Sequence, residues 1–233
     1  MDKLSSNSKV IDKLLEGGFE NDVVTTIYGP AASGKTTICL LAAISASRQG
    51  KVVFIDCEGG FSVERLKQLA KNYERILEKI FLLKPTTFDE QTKAFELLNK
   101  TIQEDAQNKF KLIVVDTISM LYRVKKEDED IRELNRKLSY QINLLSQIAR
   151  KKNIPVIITS QVYSDFEDKN SVKLVGGDII KYSSKCIIEL ENIGANKKKA
   201  ILIKHRSLPM REVVFEIVSE GIVEPKKGFK IFE

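Results

Sequence analysis

Gly29-Pro30-Ala31-Ala32-Ser33-Gly34-Lys35-Thr36 fits G-x-x-x-x-G-K-[ST] at every fixed position. Glycines and small side chains let such a loop wrap with its N–H groups inward, and the helix that follows presents its positive end to an anion. The chemistry is the holding of nucleotide phosphates, here ATP: Lys35 on the β- and γ-phosphates, the Thr36 hydroxyl on Mg²⁺, and Thr37 in the first helical turn behind it. A magnesium site of this kind needs a carboxylate at the end of a buried strand. Leu112-Ile113-Val114-Val115-Asp116 supplies one. Alone, an acid in that place would often only cap the next helix; beside a phosphate loop it reads as the metal-side carboxylate. Hydrolysis also needs a base for water. Glu58 in Asp56-Cys57-Glu58-Gly59-Gly60 is the candidate, and Gln161 is placed to sense the γ-phosphate as a neutral amide.

These residues require strands that end together. Apolar runs over Val23–Tyr28, Lys51–Asp56, Ile80–Leu83, Leu112–Asp116 and Pro155–Ser160 read as strands buried on both faces. Helical patterns over Lys35–Ser47, Val63–Asn72, Asp89–Asp105 and Asp130–Lys152 alternate with them, after a first helix within Ser5–Gly18. The alternation predicts an α/β fold with a mostly parallel, twisted sheet flanked by helices. Runs over Cys186–Glu191, Ala200–Lys204 and Val213–Val218, separated by turns, predict an antiparallel C-terminal extension of that sheet. Without an internal repeat or a Pro- or Ser-rich linker, the expectation is a single domain over residues 1–233.

Composition narrows the classes. Hydrophobic residues make up 42% and charged residues 30%, which excludes a disordered chain. The sequence contains neither a membrane-length apolar run nor a secretory leader, so the expected location is cytoplasmic, with no membrane partner. Cys39, Cys57 and Cys186 lie far apart in apolar surroundings and read as buried thiols. The single histidine, His205, stands beside Lys204 and Arg206 and reads as a surface residue. Net charge is +6, and from Ala195 to Lys230 nine Lys or Arg face four Glu, leaving +5. Such clustering favours a polyanion through counterion release, the alternative being a solvated surface.

Taken together, these stretches resemble the RecA-like recombinases, specifically the archaeal RadA group and its short RadB paralogues. Ser6–Gly18 is similar to that family's lead-in to the phosphate loop, and Cys57–Leu66 to the segment bearing its catalytic glutamate. The resemblance implies that Glu58 activates water and Arg65 stacks on adenine. Asp116–Arg123 and Thr159–Val162 resemble the entries to the family's two DNA-binding loops, with Gly176–Ile180 closing the second.

Departures shape the expectation. The core begins at once, without the helix-hairpin-helix domain and linker of RadA-type chains, which is the RadB layout. The first loop, Val124–Asp130, carries four acids that would repel phosphate. Tyr182 stands where many of these recombinases have a histidine that couples nucleotide to the second loop. The second loop itself, Tyr163–Val175, has no strong charge bias. DNA contacts are therefore expected at Lys197, Lys198, Lys199, Lys204, Arg206, Lys226, Lys227 and Lys230. The expected function is an ATP- and Mg²⁺-binding accessory protein of recombination and repair with weak ATPase activity. It would bind single-stranded or branched DNA, assist the main RadA-type recombinase or a recombination nuclease, self-associate in some form, and not exchange strands alone. The alternative is a KaiC-like regulatory ATPase without a DNA role; a small-molecule kinase ranks last, for want of a lid over a phosphoryl acceptor.

Overall fold

Successive strand residues point to opposite faces, so a run such as Leu112-Ile113-Val114-Val115 needs a packed layer on each side. The computed structural model, which describes residues 2–125, 131–164, 172–174, 177–194 and 196–225, supplies both layers. In chain order it begins with β1 (Lys3–Leu4), α1 (Lys9–Leu15), β2 (Phe19–Glu20), β3 (Val24–Tyr28), α2 (Lys35–Ser47) and β4 (Lys51–Asp56). Next come α3 (Val63–Leu69), α4 (Tyr73–Leu77), β5 (Ile80–Leu83), α5 (Phe88–Glu104), β6 (Phe110–Asp116), α6 (Met120–Lys125) and α7 (Ile131–Lys152). The last third holds β7 (Val156–Ser160), β8 (Val162–Ser164), β9 (Val172–Leu174), α8 (Gly177–Ser183), β10 (Cys186–Asn192), β11 (Lys197–Lys204), β12 (Arg211–Val218) and β13 (Gly221–Val223).

Among the described residues, nine strands form one sheet in the order β13-β12-β11-β10-β3-β7-β6-β4-β5. From β10 to β5 all pairings are parallel; β11, β12 and β13 add antiparallel. The α/β fold with an antiparallel C-terminal extension is the one the residue pattern predicts. Val52, Phe54, Leu112 and Val114 pack on one face with residues of α1 and α2, while Val53, Ile55, Ile113 and Val115 pack on the other with α5 and α7. Each such fully buried side chain is worth about 1.5–3 kcal/mol relative to exposure. Helix α7 fits its place because Leu134, Leu138, Ile142, Leu145 and Ile148 recur at spacings of three and four and are all buried. Among the described residues, no helix is long and apolar enough to cross a membrane.

Several boundaries differ from those predicted. The first helix is only Lys9–Leu15, because Asp12 accepts from the Ser6 backbone N–H (2.7 Å) and the Ser5 hydroxyl (2.6 Å), holding the preceding turn outside the helix. The predicted helix Val63–Asn72 breaks at Ala70, which is extended at φ −152° and ψ 124°. Leu69, Ala70, Tyr73 and Leu77 all pack partly buried against the core around this break. Strand β11 starts at Lys197 rather than Ala200, since Lys197 and Lys199 find acidic cross-strand neighbours in Glu216 and Glu191. His205 is not a surface residue: its ring is enclosed, with Nδ1 accepting from the backbone N–H groups of Ser207 and Leu208, both at 3.1 Å. The three cysteines are buried and unbridged, as expected.

Candidate functional site

Parallel pairing brings the ends of β3, β4, β6 and β7 to one edge of the sheet, so the segments leaving them meet there. Gly29–Thr36 leaves β3 and enters α2. Gly34 has φ 105°, a conformation that requires glycine, and a Cβ on it would come within 2.8 Å of the terminal methyl of Ile217. Lys35 is buried, and its Nζ donates to the carbonyl oxygens of Gly29 (2.9 Å) and Pro30 (2.8 Å). Burial lowers its pKa, opposed by the nearby Glu58 and Asp116 carboxylates. The Ser33 hydroxyl is buried with no hydrogen-bond partner among the described residues. Over the loop lies a cavity of ≈ 250 Å³, running along Ala31, Ala32 and Gly34–Thr37 and closed by Glu58 and Ile217.

The carboxylate ending β6 is held from two sides. Thr36 Oγ1 donates to Asp116 Oδ2 at 2.6 Å, and the Thr159 hydroxyl on β7 donates to Oδ1. Burial raises the pKa of Asp116; the two hydroxyls pull it back, and Glu58 and Asp56 push it up further. Asp56 does not face the cavity. It accepts the backbone N–H groups of Gly60 (2.9 Å) and Phe61 (3.0 Å), fixing the turn that carries Glu58. Glu58 Oε1 accepts from Gln161 Nε2 at 2.7 Å, linking the segment after β4 to the one after β7.

Arg65 stands on α3, which starts where the Ser62 hydroxyl accepts the Arg65 backbone N–H at 3.2 Å. Its guanidinium donates to the carbonyls of Val218 (2.9 Å) and Ser219 (3.0 Å), tying α3 to the β12–β13 turn just beyond Ile217. The donor set suits a magnesium nucleotide. A loop with a desolvated ammonium and an unpartnered hydroxyl calls for an anion, and a hydroxyl beside a carboxylate offers the hard oxygens that Mg²⁺ prefers. Among the described residues no cluster of three or more His, Cys, Asp or Glu cages a metal. A magnesium ion carried by phosphate oxygens needs none.

A model of the Rad51 family matches residues 1–225. The chain belongs to the Rad51 family. It is 42% identical over 230 residues to the DNA repair and recombination protein RadB of Methanobrevibacter smithii, covering 95% of each chain. It is likewise 42% identical over 225 residues to RadB of Methanococcoides burtonii, with 95% of this chain and 97% of that one covered. Among solved structures, the crystal structure of the RadB recombinase superposes with a TM-score of 0.80 at 36% identity, over 96% of this chain and all of the other.

In this Rad51-family chain the expected DNA contacts fall into three groups. Lys197 is exposed on β11, while Lys198 donates to Asn192 Oδ1 at 2.8 Å and Lys199 pairs with Glu191 (2.9 Å) and Glu212 (3.7 Å). Lys204 donates to the carbonyl of Lys181 at 3.0 Å, and Arg206 pairs with Glu20 (2.7 Å) and Asp22 (2.9 Å). Lys226, Lys227 and Lys230 lie outside the described residues, as do Lys126–Asp130 of the first loop and Asp165–Ser171 of the second. Tyr182 is exposed on α8.

Sequence reasoning missed Thr159, Ile217 and Asn192, whose Nδ2 reaches the Ala31 carbonyl at 3.3 Å. Thr159 left a signal, a hydroxyl next to the end of an apolar strand. Ile217 and Asn192 left none, because their roles depend on β10 lying beside β3 and on the antiparallel strands added beyond it.

Proposed function

We propose that this chain is an ATP- and DNA-binding accessory protein of homologous recombination and DNA repair, a single domain acting in the cytoplasm with slow ATP turnover. The observation that carries this reading is the joining of Thr36, on the wall of the loop cavity, to the buried Asp116 and Thr159, with Glu58 of the same wall linked to Gln161. Relatives named as DNA repair and recombination proteins support the DNA role.

In this reading the N–H groups of Gly29–Thr36 hold the ATP phosphates, and Lys35 exchanges its two loop carbonyls for phosphate oxygens. Thr36 and Asp116 would hold Mg²⁺, and Arg65, as the resemblance implies, would stack on the adenine. The bound nucleotide supplies an electrophilic γ-phosphoryl group whose charge the cation offsets. Glu58 has Oε2 free of the Gln161 bond to take a proton from water, whether or not Gln161 stays on Oε1. Gln161 leads into the second loop, so a shift of its amide from Glu58 to phosphate would carry the nucleotide state toward DNA. Tyr182, exposed on α8 in the place where the resemblance expects a coupling histidine, would leave that coupling weak. DNA, single-stranded or branched, is the partner, alongside a RadA-type recombinase or a recombination nuclease, with self-association in some form.

The test is nucleotide binding and hydrolysis with and without Mg²⁺, followed by DNA binding across a salt series with ATP, ADP and no nucleotide. Magnesium-dependent binding, turnover well below ~10 per second and salt-sensitive DNA affinity are expected. Failure to bind DNA at low salt would remove the recombination reading and leave the nucleotide site standing.

A further inference from the structure

The starts of the parallel strands lie at the opposite edge of the sheet, roughly 20 Å from the nucleotide loop at ~3.3 Å per strand residue. Cations gather there. Arg48, Lys51, Lys109 and Lys151 are exposed, and Lys111 and Lys152 are half-buried. Lys111 is placed with some cost to the fold. The pairing of β4 with β6 runs Lys51 with Phe110 and then Val52 with Leu112, so Lys111 is the extra residue of a bulge, a device that re-aims a side chain. Gly50 makes the room: a Cβ on it would sit 2.2 Å from the Lys109 carbonyl oxygen and 2.8 Å from Lys111 Cγ.

Lys111 thereby lines a cleft of ≈ 380 Å³ together with Lys3, Lys152 and the amides of Asn21, Asn108 and Asn153. Lys3 and Lys152 are held by carbonyl and amide oxygens, Lys3 by Leu15 (2.7 Å) and Glu16 (3.0 Å), Lys152 by Asp105 (2.9 Å) and Asn108 (3.3 Å). Their positions are set, and the Asp105 carboxylate, held by the Lys109 and Phe110 backbone N–H groups, offsets part of the charge of Lys152 and Lys109. Asp2 is the one acid on the wall among the described residues. A second groove between α5 and α7, lined by Tyr140, Asn143, Gln147 and Lys151, ends at the same Lys152. Lysines, side-chain amides and an exposed tyrosine are the groups that contact a nucleic-acid backbone.

We propose that this cleft and its basic rim, centred on Lys111, form a DNA-backbone contact at the end of the sheet away from the nucleotide. The inference rests on the DNA-binding reading above and adds a surface to it. Strand phosphates would lie along Lys51, Lys109 and Lys111 and continue past Lys152 toward the α5–α7 groove.

The experiment is DNA binding of the full chain to single-stranded and branched oligonucleotides across a salt series, for the wild type, Lys51→Gln/Lys109→Gln/Lys111→Gln, and Lys111→Arg. Three lost phosphate contacts should flatten the single-strand salt slope by about 2, at ~0.7 per contact. They should also lower affinity at least tenfold at low salt, while Lys111→Arg stays near wild type and thermal unfolding and nucleotide binding are unchanged. An unaltered slope in the triple variant, with the wild type still binding, overturns this surface alone. A wild type that binds no DNA overturns it together with the reading beneath it.

Discussion

Lysine appears at both the nucleotide edge and the antiparallel extension of the sheet, and the two regions use it differently. Lys35 is desolvated, held by two loop carbonyls, and faces carboxylates whose own positions are set by core strands. On β11, Lys197 is exposed and Lys199 meets Glu191 and Glu212 at the surface, where water and salt screen each pair. At the first edge a charge is part of the packing and its removal leaves partners stranded. At the second it is one of several interchangeable contributors to a field.

The largest test of this contrast is Glu58→Gln. The amide keeps a hydrogen-bonding partner for Gln161 but cannot take a proton, so turnover should fall roughly 10²- to 10⁴-fold while nucleotide affinity holds. Steady-state hydrolysis together with equilibrium nucleotide binding separates the two effects. A turnover unchanged within a factor of two would show that the base lies elsewhere.

Thr159→Val asks whether the nucleotide edge is held as tightly as its hydrogen bonds suggest. The change keeps the side-chain shape and removes the hydroxyl that donates to Asp116 Oδ1, so denaturant unfolding should show a loss of about 1–3 kcal/mol. A silent change would mean that water replaces the hydroxyl and that Asp116 is less enclosed than its neighbours imply.

His205, beside the extension, gives the pH test. Its pKa is lowered by burial first, with Glu20 opposing and Lys3, Arg206 and Arg211 adding to the depression. The unfolded chain therefore binds the proton more readily. The stability this supplies is fully present above the ordinary histidine value of about 6.5 and is lost as pH falls through the lower folded value. His205→Asn can keep an acceptor for the Ser207 and Leu208 N–H groups without titrating. Its unfolding midpoint should fall less than the wild type's between neutral and mildly acidic pH, and parallel curves would refute the assignment.

The smallest effect on folding belongs to Lys197→Gln/Lys198→Gln/Lys199→Gln. The unfolding midpoint should move less than for Thr159→Val, while any DNA slope contributed by these residues becomes shallower by at most about 2. Should this variant unfold as readily as Thr159→Val, the distinction between embedded and solvated charge would collapse.

The residues that could be read from the sequence are those whose roles follow from local backbone demands. Gly34 at positive φ, Lys35 one position later and the apolar run ending in Asp116 are short patterns, and each carries its own physical requirement. The parallel sheet, the helices over it and the antiparallel extension followed from alternating apolar periods. Sequence neighbours alone left the ring of His205 at the surface and the start of β11 three residues late. For β11 the deciding partners lie on β10 and β12, and for His205 they are the turn N–H groups of Ser207 and Leu208 together with Glu20 on β2.

What only the tertiary structure decided is the partnership of distant residues. Thr36 meets Asp116 across 80 positions, and Glu58 meets Gln161 across 103. These contacts depend on β7 lying between β3 and β6, an order the chain does not follow along its length. The bulge that turns Lys111 outward is set the same way, by the pairing of β6 with β4. A local pattern can dictate how the backbone bends around a phosphate, because that cost is settled within a few residues. Which strand lies beside which is settled by burying both faces of the whole sheet at once, and no short stretch of sequence carries that information.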